Sequence, residues 1–257
     1  MVSLFYIVYT IVAISLLIAK YRFDRARNSI SHRIAIIGSS PHPGLSGAIA
    51  AIIGSSGLHT FGAIDEAAKP SGTILLPDGT RARLISASRL KSRTIVRLIW
   101  SFARRGADVV IYEAQAGSRA LRWLRPLLSP RTVIVPAVSA VPTVTVADVK
   151  RATHLIRNVP RNATLITAEH RHGILSVMRH ESRRRSIRLV EIKDGMEGLV
   201  SHVGAIFDVK HDRAVRMLSQ AEATDGHDKV YDCTHRIRTG LQVIIRKVDA
   251  ASLASGR

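Results

Sequence analysis

Short apolar β-type runs alternate with helical stretches along most of this 257-residue chain, and this alternation restricts the fold more than any other feature. The β-type runs are RIAIIG (33–38), DVVIYEAQ (108–115), RTVIVPAVS (131–139), NATLITAE (162–169) and RSIRLVEIK (185–193). The helical stretches lie at 45–57, 92–108 and 146–156, and a Pro-Asp-Gly turn separates two more β-type runs within 72–86. Strands that alternate with helices form right-handed βαβ units. We therefore expect an α/β fold with a mostly parallel sheet and helices on both faces.

An uncharged apolar segment at residues 4–19 precedes the basic segment KYRFDRAR at 20–27. A helix that spans a bilayer needs about 20 apolar residues, so this one is at the short end of the range. Because basic residues collect on the cytoplasmic side, we expect a single span of the cell inner membrane with the following domain in the cytoplasm. A cleaved signal peptide and a buried core helix are the alternatives. The first fits poorly, since the basic residues follow the apolar segment.

These patterns divide the chain into three expected parts. Residues 1–27 are the membrane anchor with its basic segment, and residues 28–195 are the α/β domain. Residues 196–257 form a C-terminal extension, where the pattern weakens to a helix at 211–222 and a strand at 241–247.

The charge is strongly basic, with 38 Lys and Arg against 19 Asp and Glu, a net charge of +19. Such an excess favours polyanionic partners, and an Arg-rich overall composition is the alternative explanation. The basic cluster ESRRRSIR (181–188) is expected to be a solvated loop, with contact to an anionic polymer or to lipid headgroups as the alternative. Cys233 is the one cysteine, which excludes an internal disulfide and favours a reducing compartment.

A loop rich in glycine and serine joins the first predicted strand to the next helix, where α/β proteins often bind phosphate. Its candidate nucleotide-binding residues are Gly38, Ser39, Ser40, His42, Gly44 and Ser46. The loop has no lysine, and two prolines in it lack the backbone N–H groups that cradle a phosphate. Histidine is a weak replacement at neutral pH, since its unperturbed pKa is about 6.5. The loop by itself fits either a structural turn or an ATP site that lacks its charge clamp.

Several segments, in order, resemble the ligase subunit of poly-γ-glutamate synthase (the PgsB/CapB family), a membrane-anchored relative of the Mur ligases. GSSPHPG (38–44) lies where that family has the phosphate loop GTRGKSS, and AAIIGSSGLHT (50–60) resembles the segment that follows. KPSGTILLPDGTRARL (69–84) resembles its Lys-Pro stretch running into Leu-Pro-Asp-Gly, and GADVVIYEAQA (106–116) resembles its strand ending in Ile-Glu. VADVKRA and NATLITAEH match later segments, so the resemblance covers residues 32–170.

The resemblance implies a P-loop-like Mur ligase central domain that joins glutamates through their γ-carboxyl groups. ATP would phosphorylate a carboxylate, and an amine would then attack the acyl phosphate, with Mg²⁺ as the metal. Glu113 would be the metal-binding carboxylate and Lys69 would lie in the substrate loop, while no catalytic residue is assigned. The implied partners are membrane subunits of a polymer synthesis and export complex, glutamate or poly-γ-glutamate, and other copies of the chain. No specific nucleic acid is expected.

The chain departs from the family pattern at two places. His42 and Pro43 stand where the family has Lys and Ser, and PAVSAVPTVT (136–145) lacks the family's Asp and His. These departures indicate a ligase that is catalytically impaired or non-catalytic. The alternative is a basic, Rossmann-like, membrane-tethered module that binds polyanions such as nucleic acid, anionic lipid or an acidic polymer. A dinucleotide site is a weaker third hypothesis, because the glycines do not form G-x-G-x-x-G.

Overall fold

The computed structural model describes residues 2–38, 43–64, 74–75, 82–86, 91–119, 121–136, 143–168 and 171–225. The strands are β1 (His32–Gly38), β2 (Thr60–Ile64), β3 (Ile74–Leu75), β4 (Ala82–Ser86), β5 (Val109–Gln115), β6 (Thr132–Val135), β7 (Thr164–Thr167) and β8 (Arg188–Glu191). The helices are α1 (Val2–Asn28), α2 (Pro43–Ser55), α3 (Ser92–Arg104), α4 (Leu121–Trp123), α5 (Val146–Asn158), α6 (His172–Arg184), α7 (Gly195–Ile206) and α8 (His211–Asp225). A π-helical segment, Leu124–Leu128, continues α4.

The described strands form one sheet in the order β3-β4-β2-β5-β1-β6-β7-β8. Every pair is parallel except β3 with β4, which are antiparallel and flank the predicted Pro-Asp-Gly turn. The turn itself lies outside the described residues. The predicted α/β fold with a mostly parallel sheet is confirmed.

Helices cover both faces of the sheet. We call the side that packs on α3, α4, the π-helical segment, α5 and α6 the α3 face, and the side that packs on α2, α7 and α8 the α2 face. Ala35 and Ile37 of β1 point to the α3 face, whereas Ile34 and Ile36 point to the α2 face. Because both faces are buried, the central strands are apolar at most positions, as residues 34–37 of β1 show.

Four helices and strands were not predicted, namely β2, α4, α6 and α7, and neither was the π-helical segment. β2 (TFGAI) is short and has a glycine at its centre, which weakens a strand pattern. The predicted solvated loop at 181–188 is wrong for residues 181–184, which form the last turn of α6. Arginines at that place lie at the negative end of the helix dipole, where positive charge is favourable, so a basic cluster is compatible with a helix end.

The C-terminal helices pack against the helix that follows the glycine-serine loop. α7 and α8 contact α2, and buried Leu199, Val203 and Leu218 join the core of the α2 face. The predicted helix at 211–222 is confirmed as α8, and the predicted strand at 241–247 lies outside the described residues. The limits of the three expected parts stay a prediction.

Helix α1 is long and apolar enough to cross a membrane over Phe5–Asn28, a stretch of 24 residues that contains an 18-residue window with a mean hydropathy of 1.5. None of its apolar window is buried in the protein. Large apolar side chains from Phe5 to Ile18 are exposed, and water is an unfavourable surrounding for so continuous an apolar surface. The predicted N-terminal membrane helix is therefore present as a helix of suitable length and composition.

Candidate functional site

The candidate site lies at the carboxyl edge of the sheet, where the parallel strands end. β1 ends at Gly38, which is in register with Gln115 of β5, and the carbonyl of Gly38 accepts a 2.7 Å hydrogen bond from the N–H of Ala116. The loop that follows β1 leads into α2, which begins at Pro43. Ligands in open α/β sheets bind outside the carboxyl ends of the strands, so the end of β1 and the start of α2 lie at the usual position for a ligand site.

Ser46 and Glu113 meet at this edge. Ser46 lies in the first turn of α2 and Glu113 lies in β5, the neighbour of β1, and the Ser46 hydroxyl donates a hydrogen bond to Glu113 Oε2. Both side chains are buried, with relative exposures of 0% for Ser46 and 2% for Glu113. A buried carboxylate is costly unless hydrogen bonds or a cation compensate it, and the Ser46 hydroxyl supplies one such bond.

The direction in which the Glu113 side chain points follows from the strand, because successive side chains of a strand point to opposite faces of the sheet. Its neighbour Tyr112 points to the α3 face, where burial raises the pKa of the phenol. Glu113 therefore points to the opposite side, toward the first turn of α2.

The contact between Ser46 and Glu113 also sets the register of the loop against a phosphate-loop motif. In G-x-x-x-x-G-K-[ST], the last residue lies in the first turn of the helix and its hydroxyl binds Mg²⁺. Ser46 occupies that place, with Gly44 as the second glycine, Leu45 at the lysine position and Ser39 at the position of the first glycine. This register is three residues later than the one inferred from the resemblance, which placed His42 and Pro43 at the Lys and Ser positions.

Leu45 supplies no charge to the loop. It is 2% exposed and packs in the core of the α2 face. The missing lysine is therefore replaced by a core residue, which makes the loop poorer in charge than the sequence alone indicated. A lysine side chain at the same place would have to leave the core or lose its charge.

Another buried acid at the carboxyl edge has a structural role. Asp148 lies in the first turn of α5, after β6, and forms a capping box with Thr145. Its Oδ2 accepts hydrogen bonds from the Thr145 N–H at 3.0 Å and the Thr145 hydroxyl at 2.8 Å, and Arg151 contacts its other oxygen at 3.2 Å. Residues 136–145, where the resembling family has an Asp and a His, are thus followed by Asp148, an acid that caps a helix.

The other predicted site residues are only partly placed. Gly38 ends β1 and the backbone of Gly44 lies in α2, so both are at the site with Ser46 and Glu113. Ser39, Ser40, His42 and Lys69 lie outside the described residues. In the part of the chain that the structure describes, there is no group of three or more His, Cys, Asp or Glu residues that could hold a metal ion.

Two functional features were missed in the sequence, although each had a signal. Proline is favoured at the first position of a helix, so Pro43 marks the start of α2 and places Ser46 in its first turn. Arg33 is a charged residue inside the apolar run of β1, and it is 6% exposed. A charged side chain in a buried strand indicates that specific hydrogen-bond acceptors surround it. In the structure these acceptors are backbone carbonyls at the edge of the sheet opposite to the candidate site.

Comparison with known proteins gives likeness of structure alone. No protein-family model matches the chain, and no curated protein matches it. Among solved structures, folylpolyglutamate synthase from Thermotoga maritima has 14% identity and a TM-score of 0.42, covering 70% of this chain and 46% of that one. A variant of FPGS from L. casei has 11% identity and a TM-score of 0.48, covering 78% of this chain and 66% of that one.

A third similar structure is the bifunctional folylpolyglutamate synthase/dihydrofolate synthase from Yersinia pestis, complexed with AMPPNP and a Mn ion. It has 9% identity and a TM-score of 0.41, and the likeness covers 67% of this chain and 46% of that one. The chain thus spans between about half and two thirds of the length of the solved structures that it matches. These three TM-scores are below 0.5, and the α/β fold follows from the strand order and register of this chain itself.

Proposed function

We propose that the chain is a membrane-anchored subunit of the ATP-dependent amide-ligase kind that acts in poly-γ-glutamate (capsule) biosynthesis, with a weakened or lost catalytic site. The observation that supports this proposal is the contact between Ser46 and Glu113 at the end of the glycine-serine loop. A hydroxyl in the first turn of a helix and a carboxylate on the adjacent strand are the two protein ligands that a phosphate-loop enzyme uses for Mg²⁺.

The oxygen chemistry of this pair suits Mg²⁺. That ion prefers oxygen ligands, retains several waters, and is held by one or two carboxylates together with the phosphates of the substrate. Ser46 and Glu113 supply one hydroxyl and one carboxylate, which matches a site completed by nucleotide phosphates. When bound, the metal would supply positive charge beside the phosphate being transferred.

The residues of the chain would perform the remaining tasks of carboxylate activation. The N–H groups at the start of α2 would face the phosphates, and Glu113 would orient the metal side of the site. The clamp normally made by the loop lysine is missing, because Leu45 is buried in the core. Charge stabilisation of this kind is a large part of phosphoryl-transfer catalysis, so we expect binding of Mg-ATP to survive better than turnover.

Membrane attachment and the basic charge fit the same role. We propose that α1 spans the inner membrane once and that the α/β domain lies in the cytoplasm, beside membrane subunits of a polymer synthesis and export complex. A net charge of +19 would raise the local concentration of a polyanionic product such as poly-γ-glutamate. Assembly with other copies of the chain and a substrate role for Lys69 are further parts of this proposal.

The first test is a binding titration of the full chain in detergent with Mg-ATP. The wild type is compared with Glu113→Gln, which keeps the shape of the side chain and removes its charge. Glu191→Gln is the matched control, because Glu191 is also a glutamate at the end of a parallel strand but forms an exposed ion pair with Arg179. We expect Glu113→Gln to weaken Mg-ATP binding by about tenfold or more, as loss of a metal-site carboxylate does, and Glu191→Gln to leave it unchanged.

The second test is ATP turnover in the presence of glutamate. Wild type and His42→Lys are compared, since a lysine in the loop would restore charge without disturbing the buried Leu45. A rise in turnover would show that the loop retains a productive geometry. If the wild type binds neither Mg-ATP nor poly-γ-glutamate at moderate salt, the proposal is wrong.

The second candidate function is a membrane-tethered binding module for polyanions. The observation that favours it is the burial of Leu45 where a phosphate loop has lysine. This hypothesis predicts binding to many polyanions with a steep loss of affinity as salt rises, and no dependence of Mg-ATP binding on Glu113. The comparison of Glu113→Gln with Glu191→Gln therefore separates the two functions.

A further inference from the structure

The membrane anchor joins the domain at the edge of the sheet opposite to the candidate site. We call this the amino edge, because the parallel strands begin there; β1 begins at His32, four residues after the end of α1. Phe23 packs against the core of the α3 face, and Arg27 Nη1 donates to the Pro126 carbonyl at 3.3 Å. The last turns of α1 are therefore docked on the domain and are not a free linker.

Little space separates the domain from the membrane. Residues 14–22 are all exposed, and burial against the domain begins at Phe23. The uncharged apolar segment ends at Ala19, so the first contact follows four residues later, which is about 6 Å along a helix. The headgroup region on one side of a bilayer is about 5 to 8 Å thick. A domain that is docked from Phe23 onward must then lie against the headgroups.

Four arginines gather on the α3 face of this same edge, and we call them the arginine corner. Arg125 lies in the π-helical segment, Arg157 in the last turn of α5, Arg161 before β7, and Arg185 directly after α6. Arg185 donates to the Ile156 carbonyl at 2.9 Å, which places the ends of α5 and α6 together. Partial burial and the neighbouring charges of Arg125, Arg161 and Arg157 lower the pKa of Arg185, with Glu181 opposing them.

The topology explains why these arginines meet. In a parallel α/β sheet every helix runs back from the carboxyl edge, so the ends of all the helices come to the amino edge. A basic residue is favourable at each helix end because the helix dipole is negative there. Four such residues at neighbouring helix ends repel one another, and that cost is reduced by an anionic partner.

The acidic groups nearby leave this corner positive. Asp24 of α1 forms an ion pair with Arg27 at 2.8 Å, and Glu181 lies 4.0 Å from Arg184. Asp108, at the start of β5, accepts a 2.9 Å hydrogen bond from the N–H of His59. Each of these acids already faces a donor of its own, so the arginine corner retains its charge toward solvent.

We propose that the arginine corner binds the anionic phospholipid headgroups of the membrane that α1 crosses, and thereby holds the domain in one orientation with its candidate site turned away from the bilayer. The proposal rests on the membrane insertion of α1, which is part of the proposed function. Juxtamembrane basic residues are attracted to anionic headgroups over about one Debye length. Arg125 of the corner directly precedes Pro126, whose carbonyl accepts the hydrogen bond from Arg27 of α1. The same lipids would neutralise the repulsion among the four arginines.

The test uses the full chain reconstituted in vesicles of phosphatidylcholine alone or mixed with phosphatidylglycerol, each with a spin-labelled headgroup that quenches tryptophan fluorescence. Trp123 directly precedes the π-helical segment, and the chain has two tryptophans, so Trp100→Phe leaves Trp123 as the single reporter. Wild type in the anionic vesicles should be quenched more strongly than in neutral vesicles. High salt should remove the difference, because it screens exposed charges.

Two triple variants of equal charge make the comparison specific. Arg125→Gln, Arg157→Gln and Arg161→Gln together remove three exposed members of the corner, and Arg185 is kept because it bonds the end of α5. The control combines Lys91→Gln, Arg93→Gln and Arg119→Gln, three exposed residues of the carboxyl edge. We expect the corner variant to lose the extra quenching in anionic vesicles and the control variant to keep it.

Each of the other outcomes contradicts either the lipid proposal or the membrane part of the proposed function. Equal quenching of both triple variants in anionic vesicles, with wild-type circular dichroism, overturns the lipid proposal. So does a corner variant that keeps its lipid quenching but loses affinity for a single-stranded DNA oligonucleotide, which would assign the corner to nucleic acid. If alkaline carbonate extracts the wild-type chain from the vesicles, α1 is not inserted, and the membrane part of the proposed function fails with it. A wild type that is embedded but insensitive to phosphatidylglycerol overturns the inference alone.

Discussion

The two edges of the sheet differ in how they treat charge. At the carboxyl edge the buried carboxylate of Glu113 is held by Ser46, and the lysine position of the phosphate-loop motif has an apolar Leu45 instead. At the amino edge positive charge is abundant, and a buried arginine, Arg33, is held by backbone carbonyls. The two edges therefore differ in the group that meets the buried charge, which is a hydroxyl at the carboxyl edge and a set of backbone carbonyls at the amino edge.

Arg33 should produce the largest loss of stability, because it links three segments at the amino edge. Its Nε donates to the Ser129 carbonyl at 3.0 Å, and its Nη1 donates to the carbonyls of Arg27 and Ile30 at 2.9 and 3.0 Å. Burial, together with Arg131 and Arg27, lowers its pKa to about 10, so it remains charged at pH 7. Arg33→Met should reduce the free energy of unfolding by about 3 to 5 kcal/mol, since it removes the three hydrogen bonds that this buried charge donates to backbone carbonyls.

Urea unfolding followed by circular dichroism measures this loss. Arg131→Met is the control, because Arg131 is an exposed arginine at the same edge. Equal small losses for the two variants would mean that Arg33 does not fasten the anchor to the domain.

Two serines at opposite ends of α2 give the next comparison. The Ser46 hydroxyl bonds a buried carboxylate at the carboxyl edge, whereas the Ser55 hydroxyl bonds the carbonyl of Ile52 at 2.7 Å near the amino edge. Ser46→Ala should reduce the free energy of unfolding by about 1 to 3 kcal/mol, because Glu113 loses a buried partner. Ser55→Ala should change it by less than about 0.5 kcal/mol. The same measurement tests both, and a Ser55→Ala effect as large as that of Ser46→Ala would contradict the special status of the site.

The smallest expected effect is a pH dependence at the amino edge. Burial and the charge of Arg131 lower the pKa of His32, and the charge of Asp108 opposes this shift. The centroid of the His32 ring lies 5.3 Å from the centroid of the Phe207 ring. A histidine whose pKa is lowered by folding binds more protons in the unfolded chain. Stability should therefore be complete above pH 6.5, the ordinary histidine value, and should fall as the pH drops through it.

His32→Gln should reduce this slope of stability against pH between about pH 7.5 and about pH 5.5. His154→Gln is the control, since His154 is an exposed histidine on α5. The prediction fails if the two variants have the same slope. The effect is expected to be small, because His32 is itself largely exposed and solvent screens its charge.

Periodicity predicted the parts of this protein whose pattern is local. The strands β1, β5, β6, β7 and β8 and the helices α2, α3, α5 and α8 appear where apolar runs and amphipathic stretches indicated them. β2 was missed because Gly62 interrupts a short run, and α6 because its basic end was read as a loop. At the site, Glu113 and the loop glycines were identified from the sequence, whereas the role of Leu45 was not. Which side chains in the first turn of a helix are buried depends on what the helix packs against.

The sequence by itself determined the α/β class, the long apolar helix at the N-terminus and the absence of a lysine in the loop, because each is a property of neighbouring residues. Only the tertiary structure decided that Ser46 meets Glu113 across 67 positions of the chain, and that arginines from four segments share one corner. These meetings follow from strand order. A parallel sheet brings all strand ends to one edge and all helix ends to the other, and which of them become neighbours depends on the pairing of β1 with β5 and β6, which no local pattern contains.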